Sequence, residues 1–503
     1  MLKKLLSATI ATSLCLSLFV GCGPKPVQGK TSSGTKSSSS SVSGVSGDSS
    51  LSGVSDVASG SSLVSGVSGS SVKPGTSSVK PGASSVKPGT SSAKPGTSTV
   101  KPGTSSVKPG TSTPSKTGPV ELKVWGDQAN QALMAAVADY TDAHANVTIN
   151  VVTAADSTVD GLRSNIAAGT EPDILMLDHV YITACGTEGL FKNLVPLGAN
   201  NIKSKFIPST WAGVSFGNAV YGLPHDGNTI CLMYNKTMLQ DNAHQNPPTT
   251  LDQLKSVGTA VAAANPGKQA FTEPFVSSTD TNRLNWAAFN YCFWLWGCGG
   301  DILSPDNKTA IFNQAPGIQA LQMIVDLKSQ GVTDGATYQE SQFYSGDVGM
   351  IEMGNWAIGQ LQTNTKLGVT KLPILIPNGK SVSGLGLFAV GITSSTSFPA
   401  DAFNFISAYT TNVDYQIQYC KQNNQLPVTY SALADPFYTQ GANAANWAVF
   451  IDQYKTCKAR PGVSCWTDIQ TDLAQAIISA IGGTDPKAAL DAAAAKVNIL
   501  LKK

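Results

Sequence analysis

The chain has 503 residues, 41% of them hydrophobic, and a formal net charge of +2. This is enough apolar material for a large core and enough length for more than one domain, and the absence of a basic cluster interleaved with aromatics excludes nucleic acid as a partner. The apolar residues are unevenly spread: residues 20–118 carry no aromatic, and every tryptophan and tyrosine lies beyond Pro119, so the folded part is expected to start near Val120.

Lys3 and Lys4, an apolar run from Leu5 to Val20 and small residues before a cysteine read as a secretion signal over residues 1–21. The run is too short, and its continuation too polar, for a membrane-spanning helix. Its end, Leu18-Phe19-Val20-Gly21-Cys22, resembles the lipobox of bacterial lipoproteins, with Phe19 where leucine is usual. The resemblance implies that Cys22 becomes the mature N-terminus and carries the lipid, holding an exported protein at the outer face of a membrane. An ordinary signal peptide with an incidental cysteine is the competing reading; Cys15, which follows Leu14, fits poorly.

Residues 22–118 are rich in Ser, Thr, Gly, Pro and Lys, and a seven-residue unit recurs with its lysine at 73, 80, 87, 94, 101 and 108, as in SSVKPGTSSVKPG. A period of seven invites a coiled coil, but a proline and a glycine in each copy exclude a helix. This segment is expected to be a disordered tether; at roughly 3.1 Å per residue when extended it reaches from tens to a few hundred Å. Such a spacer suits a bacterium with a thick wall and a single membrane, and the lysines could touch anionic wall polymers.

In the folded part, ELKVW (121–125) and VTINVVT (147–153) have strand character, separated by a helical period at Leu133, Ala136, Val137 and Tyr140. A helix from about Val159 to Ala168 and the apolar run DILML (173–177) follow. Alternating strands and helices argue for parallel α/β architecture with ligands beyond the carboxyl ends of the strands, which directs attention to the segments after Trp125 and Leu177. Seven cysteines follow Cys22, an odd number; Cys292 with Cys298 and Cys457 with Cys465 are near enough in sequence for local bridges but lack metal-finger spacing. The four histidines, His144, His179, His225 and His244, show no zinc-ligand spacing, and no cofactor motif is present.

AAGTEPDILMLD (167–178), YGLPHDGNTICLMYNK (221–236), PPTTLDQL (247–254), FYSGDVGMIEMGNW (343–356), GLGLFAVGITSSTSFPADAFNFISAY (384–409) and NNQLPV (423–428) occur in this order. Together they resemble the extracellular solute-binding proteins that feed carbohydrate ABC importers, the maltose-binding type, over nearly all of residues 120–503. Each segment also has local logic: Gly169 suits a left-handed helix end, Pro172 starts an extended segment, and Thr249 or Thr250 suits a helix cap. The resemblance implies a type II periplasmic-binding-protein fold: two α/β lobes, a cleft and a hinge crossed about three times. Lobe one is expected at about 120–226 and 371–427, lobe two at about 227–370 and 428–503.

A sugar receptor needs flat aromatic faces for pyranose rings and planar polar groups for hydroxyls. By resemblance, the contacts fall at Asp127 and Gln128, at Asp178, His179 and Tyr181, at Asn228, at Trp356, and at Trp466 with Arg460. Leu177 replaces the family's usual aromatic. Other roles compete: a helix cap for Asp127, core for Trp125, a hinge turn for Asp-Gly-Asn at 226–228, and a lobe carboxylate as partner of Arg460. Gly384 to Leu387 is expected as a loop presenting backbone to the ligand.

NYCFWLWGCGGD (290–301) continues a helix from near Asn282, and Phe293, Trp294 and Trp296 spread over a wide apolar arc. They are expected in the core of lobe two, with Gly299-Gly300 closing the helix and Trp286 and Asn290, upstream, nearer the cleft. G-x-S-x-G, H-E-x-x-H and P-loop patterns are absent, and no local motif concentrates acids beside aromatics as a glycosidase site would. The expected function is therefore non-enzymatic: a monomeric, lipid-anchored receptor that takes up an oligosaccharide and presents it to membrane permease subunits. The alternatives are a wall-tethered carbohydrate-binding adhesin and a glycoside hydrolase.

Overall fold

The computed structural model describes residues 118–502 except 155–158, 241–245, 274, 276–280, 336–337 and 339. The segment read as a secretion signal, Cys22, the repeat segment and His244 lie outside the described residues. Strands β1 (Val120–Trp125) and β2 (Val147–Val152) are parallel neighbours joined through helix Gln131–Ala143, whose buried face is Leu133, Ala136, Val137 and Tyr140. Helix Val159–Ala168 ends at Gly169, which adopts φ +66° as the left-handed closure requires, and leads to β3 (Ile174–Asp178), parallel to β1.

A small hairpin of β4 (Ser215–Phe216) and β5 (Ala219–Val220) precedes the 14-residue β6 (Gly222–Asn235). Later come β7 (Gln269–Thr272), β8 (Val348–Gly354), β9 (Leu367–Thr370), β10 (Ser383–Ile392), β11 (Leu426–Pro427) and β12 (Cys457–Lys458). The sheet order is β2-β1-β3-β10-β6-β8-β7, with β9 and β11 also on β6 and β12 on β10. The α/β architecture is as expected, but the sheet is mixed rather than parallel: β1, β2 and β3 run parallel, whereas β10 pairs antiparallel with β3 and β6, and β8 and β9 antiparallel with β6.

β6 joins the two lobes. Its first part, Gly222 to Thr229, pairs with β10, and from Ile230 onward it pairs with β8 and β9. Residues 226–228 are thus continuous strand rather than a turn, because each is held in the ladder with β10. A bulge leaves His225 unpaired between Pro224 and Asp226; its ring lies 2.7 Å from Asp226 Oδ1 and 2.7 Å from the Tyr409 hydroxyl. Glycine is required at 227: a Cβ there would fall 1.9 Å from the Tyr454 hydroxyl oxygen.

The alternation of β6 divides two apolar cores. Cys231 and Met233 face one that extends through Leu122, Leu175, Leu387 and Ile406 and takes in Trp447, Phe450 and Tyr454 of helix Ala444–Tyr454. Ile230 and Leu232 face the other, built by helices Leu251–Ala264, Thr281–Gly297, Ala315–Ser329, Trp466–Ile481 and Pro486–Leu500. Helix Leu251–Ala264 starts as expected: Thr250 Oγ1 accepts from Gln253 N, and Gln253 Oε1 accepts in return from Thr249 N at 2.8 Å. The cysteines after Cys22 are free thiols, six of them buried, so neither local bridge forms in this structure.

Candidate functional site

β3 runs directly into helix His179–Thr187, and Asp178 does two jobs at the junction. Its Oδ1 accepts from Val180 N as the helix N-cap, and its two oxygens accept from Arg460 Nη2 at 3.0 and 2.7 Å. Burial by itself would raise the Asp178 pKa, but the charge of Arg460 and then that of His179 outweigh it and hold the carboxyl well below its usual range. His179 is buried, 3.0 Å from Asp178 Oδ1; burial pushes its pKa down against the pull of that carboxylate. Asp178 is therefore held as a carboxylate, with Arg460 as its principal counter-charge.

Arg460 also lies over the ring of Phe289, 4.7 Å from its centre, and its Nε has no hydrogen-bond partner among the described residues. Phe289 belongs to an edge-to-face chain: it meets Phe293 at 4.8 Å and Trp286 at 5.8 Å, and Trp286 meets Trp356 at 5.6 Å. Trp356 sits in the turn Asn355–Ala357 after β8, and its indole N–H donates to Glu340 Oε1 at 3.2 Å. Glu340 is pushed up by burial, which prevails over the bonds from Trp356 and Tyr344.

Tyr181 and Trp356 are the two half-buried residues that pack against both cores. Val180, on the helix that follows β3, is buried in the second core, so this helix lies between the two cores. Asp178, His179, Tyr181, Trp286, Trp356 and Arg460 are thus brought to one place, from segments as far apart in sequence as Asp178 and Arg460.

The remaining expected residues are placed differently. Asp127 is exposed and accepts from Ala129 N at 2.8 Å, while the cap of helix Gln131–Ala143 is Asn130. Gln128 donates to Val151 O at 2.8 Å and borders an open concavity of about 580 Å³ along β1 and β2, which also includes Glu121, Lys123 and Asn150. Asn228 packs on Gly386 of β10, where a Cβ would fall 1.8 Å from its Oδ1. Asn290 is buried and donates to Trp286 O at 2.9 Å, an intrahelical bond, leaving its Oδ1 without a partner.

Two expectations are corrected. Trp466 is 1% exposed, at the head of helix Trp466–Ile481 in the second core, so its ring offers no free face in this structure; apolar neighbours such as Ile469 and Val463 enclose it. Gly384 to Leu387 is not a loop but the start of β10, and a Cβ on Gly384 would lie 2.2 Å from the Phe293 ring: the missing side chain makes room for aromatics.

Several residues at the site were missed in the sequence. Phe289 and Glu340 are two; Glu273, just after β7, and Glu352, inside β8, are buried acids that were missed as well, and neither has a recorded contact with the cluster. Burial, and then the charge of Glu352, push Glu273 well above the ordinary carboxyl range, and neither of its oxygens has a hydrogen bond of good geometry. Burial pushes Glu352 up to about 8, opposed by a hydrogen bond from the Trp294 side chain. An acid inside the otherwise apolar VGMIEMG was the available signal, since buried carboxyls cluster where sites are built. Among the described residues no group of three or more His, Cys, Asp or Glu is placed to hold a metal ion.

Comparison with known proteins agrees with this architecture. The chain is 24% identical over 389 residues to the galactooligosaccharide-binding protein of Bacillus subtilis, covering 74% of this chain and 88% of that one. It is 25% identical over 293 residues to the maltotriose-binding protein of Pyrococcus abyssi, covering 55% and 59% of the two chains. The solved cyclic alpha-maltosyl-1,6-maltose binding protein of Arthrobacter globiformis superposes with a TM-score of 0.68 at 27% identity, covering 76% of this chain and 100% of that one. The fold is therefore of the maltose-binding type, and since residues 135–446 match the model of that family, the chain belongs to the bacterial extracellular solute-binding proteins.

Proposed function

We propose that this protein captures an oligosaccharide between its two lobes and delivers it to the permease subunits of an ABC importer. The observation that carries the reading is the cluster at the lobe junction, where Trp286, Phe289 and Trp356 meet edge to face beside Asp178, Tyr181 and Arg460. Rings of this kind match the C–H faces of sugars, and the polar groups around them match hydroxyls. The sugars named in its relatives point to the same class. Trp356 is the principal stacking ring in this reading. Glu340 accepts a hydroxyl hydrogen bond, and Arg460 Nε donates one. Asp127, Gln128, Asn228, Asn290 and Trp466 hold no ligand contact in this reading.

Cys22 would carry a lipid and residues 23–118 would act as the spacer, placing a monomeric receptor at the outer face of the cell membrane. Calorimetric titration with gluco-, xylo-, manno- and malto-oligosaccharides tests the central claim: heat of binding is expected for at least one series. Binding of small charged solutes alone, or release of reducing ends from a glycan, would overturn it.

A further inference from the structure

Asp178 ends β3 and caps helix His179–Thr187, whereas Arg460 lies just beyond β12 and rests on Phe289 of helix Thr281–Gly297, in the other lobe. Their side chains are only 11% and 10% exposed, and the contact is made at 2.7 Å. The chain after Arg460 lies directly on the same helix: a Cβ on Gly462 would come 2.3 Å from the Thr183 side chain. These contacts join surfaces that must part if the cleft opens.

We propose that Asp178 and Arg460 form an interlobe clasp that sets how far the cleft is closed before a ligand arrives. The clasp rests on the two-lobed reading of the cleft but not on the identity of the sugar. Its strength comes from position: two hydrogen bonds to one carboxylate, both groups largely screened from water and the guanidinium fixed by an aromatic face. When the lobes part, Asp178 keeps its helix-cap bond but loses its counter-charge, while Arg460 loses both its partner and its stacking. A ligand then has less closure to supply, because part of the population is already in the binding-competent form.

The test is small-angle X-ray scattering of the ligand-free protein, with circular dichroism to confirm folding. Asp178→Asn removes the charge and keeps a good helix cap, and Arg460→Gln removes the other half. Each is expected to raise the radius of gyration, with the closed-to-open ratio falling about tenfold, as loss of a charge-assisted hydrogen bond predicts. The double variant should open no further than the more open single one. A folded Asp178→Asn protein with the wild-type radius of gyration overturns the clasp, as does a double variant whose shift is the sum of the singles. Because no sugar is present, these outcomes leave the proposed function standing, and a failed sugar titration leaves the clasp standing.

Discussion

The two ends of helix Thr281–Gly297 carry the same kinds of residue in different surroundings. Toward the N-terminal end, Trp286 and Phe289 meet Trp356 and Arg460, which come from elsewhere in the chain. Toward the C-terminal end, Phe293, Trp294 and Trp296 are buried, with the Trp294 side chain hydrogen-bonded to Glu352 and the Trp296 N–H donating to Asp301 at 3.0 Å. Aromatic content therefore says little about role; what stands opposite each ring decides whether it holds the fold together or borders a site.

The largest expected effect lies at the buried end. Trp294→Ala should destabilise the protein by about 3–5 kcal/mol, since it opens a cavity and strips Glu352 of a hydrogen bond, and chemical denaturation measures it. Next comes a pH dependence from the burial of Glu352. Glu352 rises from an ordinary 4.5 to about 8 on folding, so the folded state binds the extra proton between these values. Stability is then complete below about pH 4.5 and falls as pH climbs through about 8, with a slope approaching about 1.4 kcal/mol per pH unit. Glu352→Gln should flatten that slope in denaturation curves taken from pH 5 to 9.

At the other end the loss should appear in binding instead. Trp356→Ala should weaken sugar affinity by about 2 kcal/mol, roughly thirtyfold, by titration calorimetry, while costing less stability than Trp294→Ala. Equal losses of affinity in the two variants would erase the contrast between the ends. Trp296→Phe, which removes the bond to Asp301 and leaves a smaller ring beneath Lys458, should cost at least about 1 kcal/mol of stability. Asp127→Ala, exposed and away from the cluster, should change stability by no more than about 0.5 kcal/mol and leave affinity unaltered.

Much of the fold was legible because it follows local rules. The alternation in Val120–Trp125 and Val147–Val152, the helical spacing of Leu133 to Tyr140 and the cap at Thr250 each depend on residues within a turn or two. The site was legible only in part. Trp286, Trp356, Asp178 and Arg460 could be singled out by type and by resemblance, but the same reasoning also selected Trp466, which its helix turns into the core. It passed over Glu273 and Glu352, because a carboxyl becomes unusual only once burial has removed water and partners from it.

The sequence by itself determined the order of the first strands and helices, the left-handed turn at Gly169 and the burial of Phe293, Trp294 and Trp296. These are matters of composition, period and backbone freedom, which act over a few residues. Only the tertiary structure decided that Arg460 would close on Asp178 across 282 residues, that β6 would exchange partners between Thr229 and Ile230, and that Tyr181 and Trp356 would touch both cores. Such pairings leave no local signature, because they arise when distant apolar faces are buried together and the polar groups carried with them must find partners.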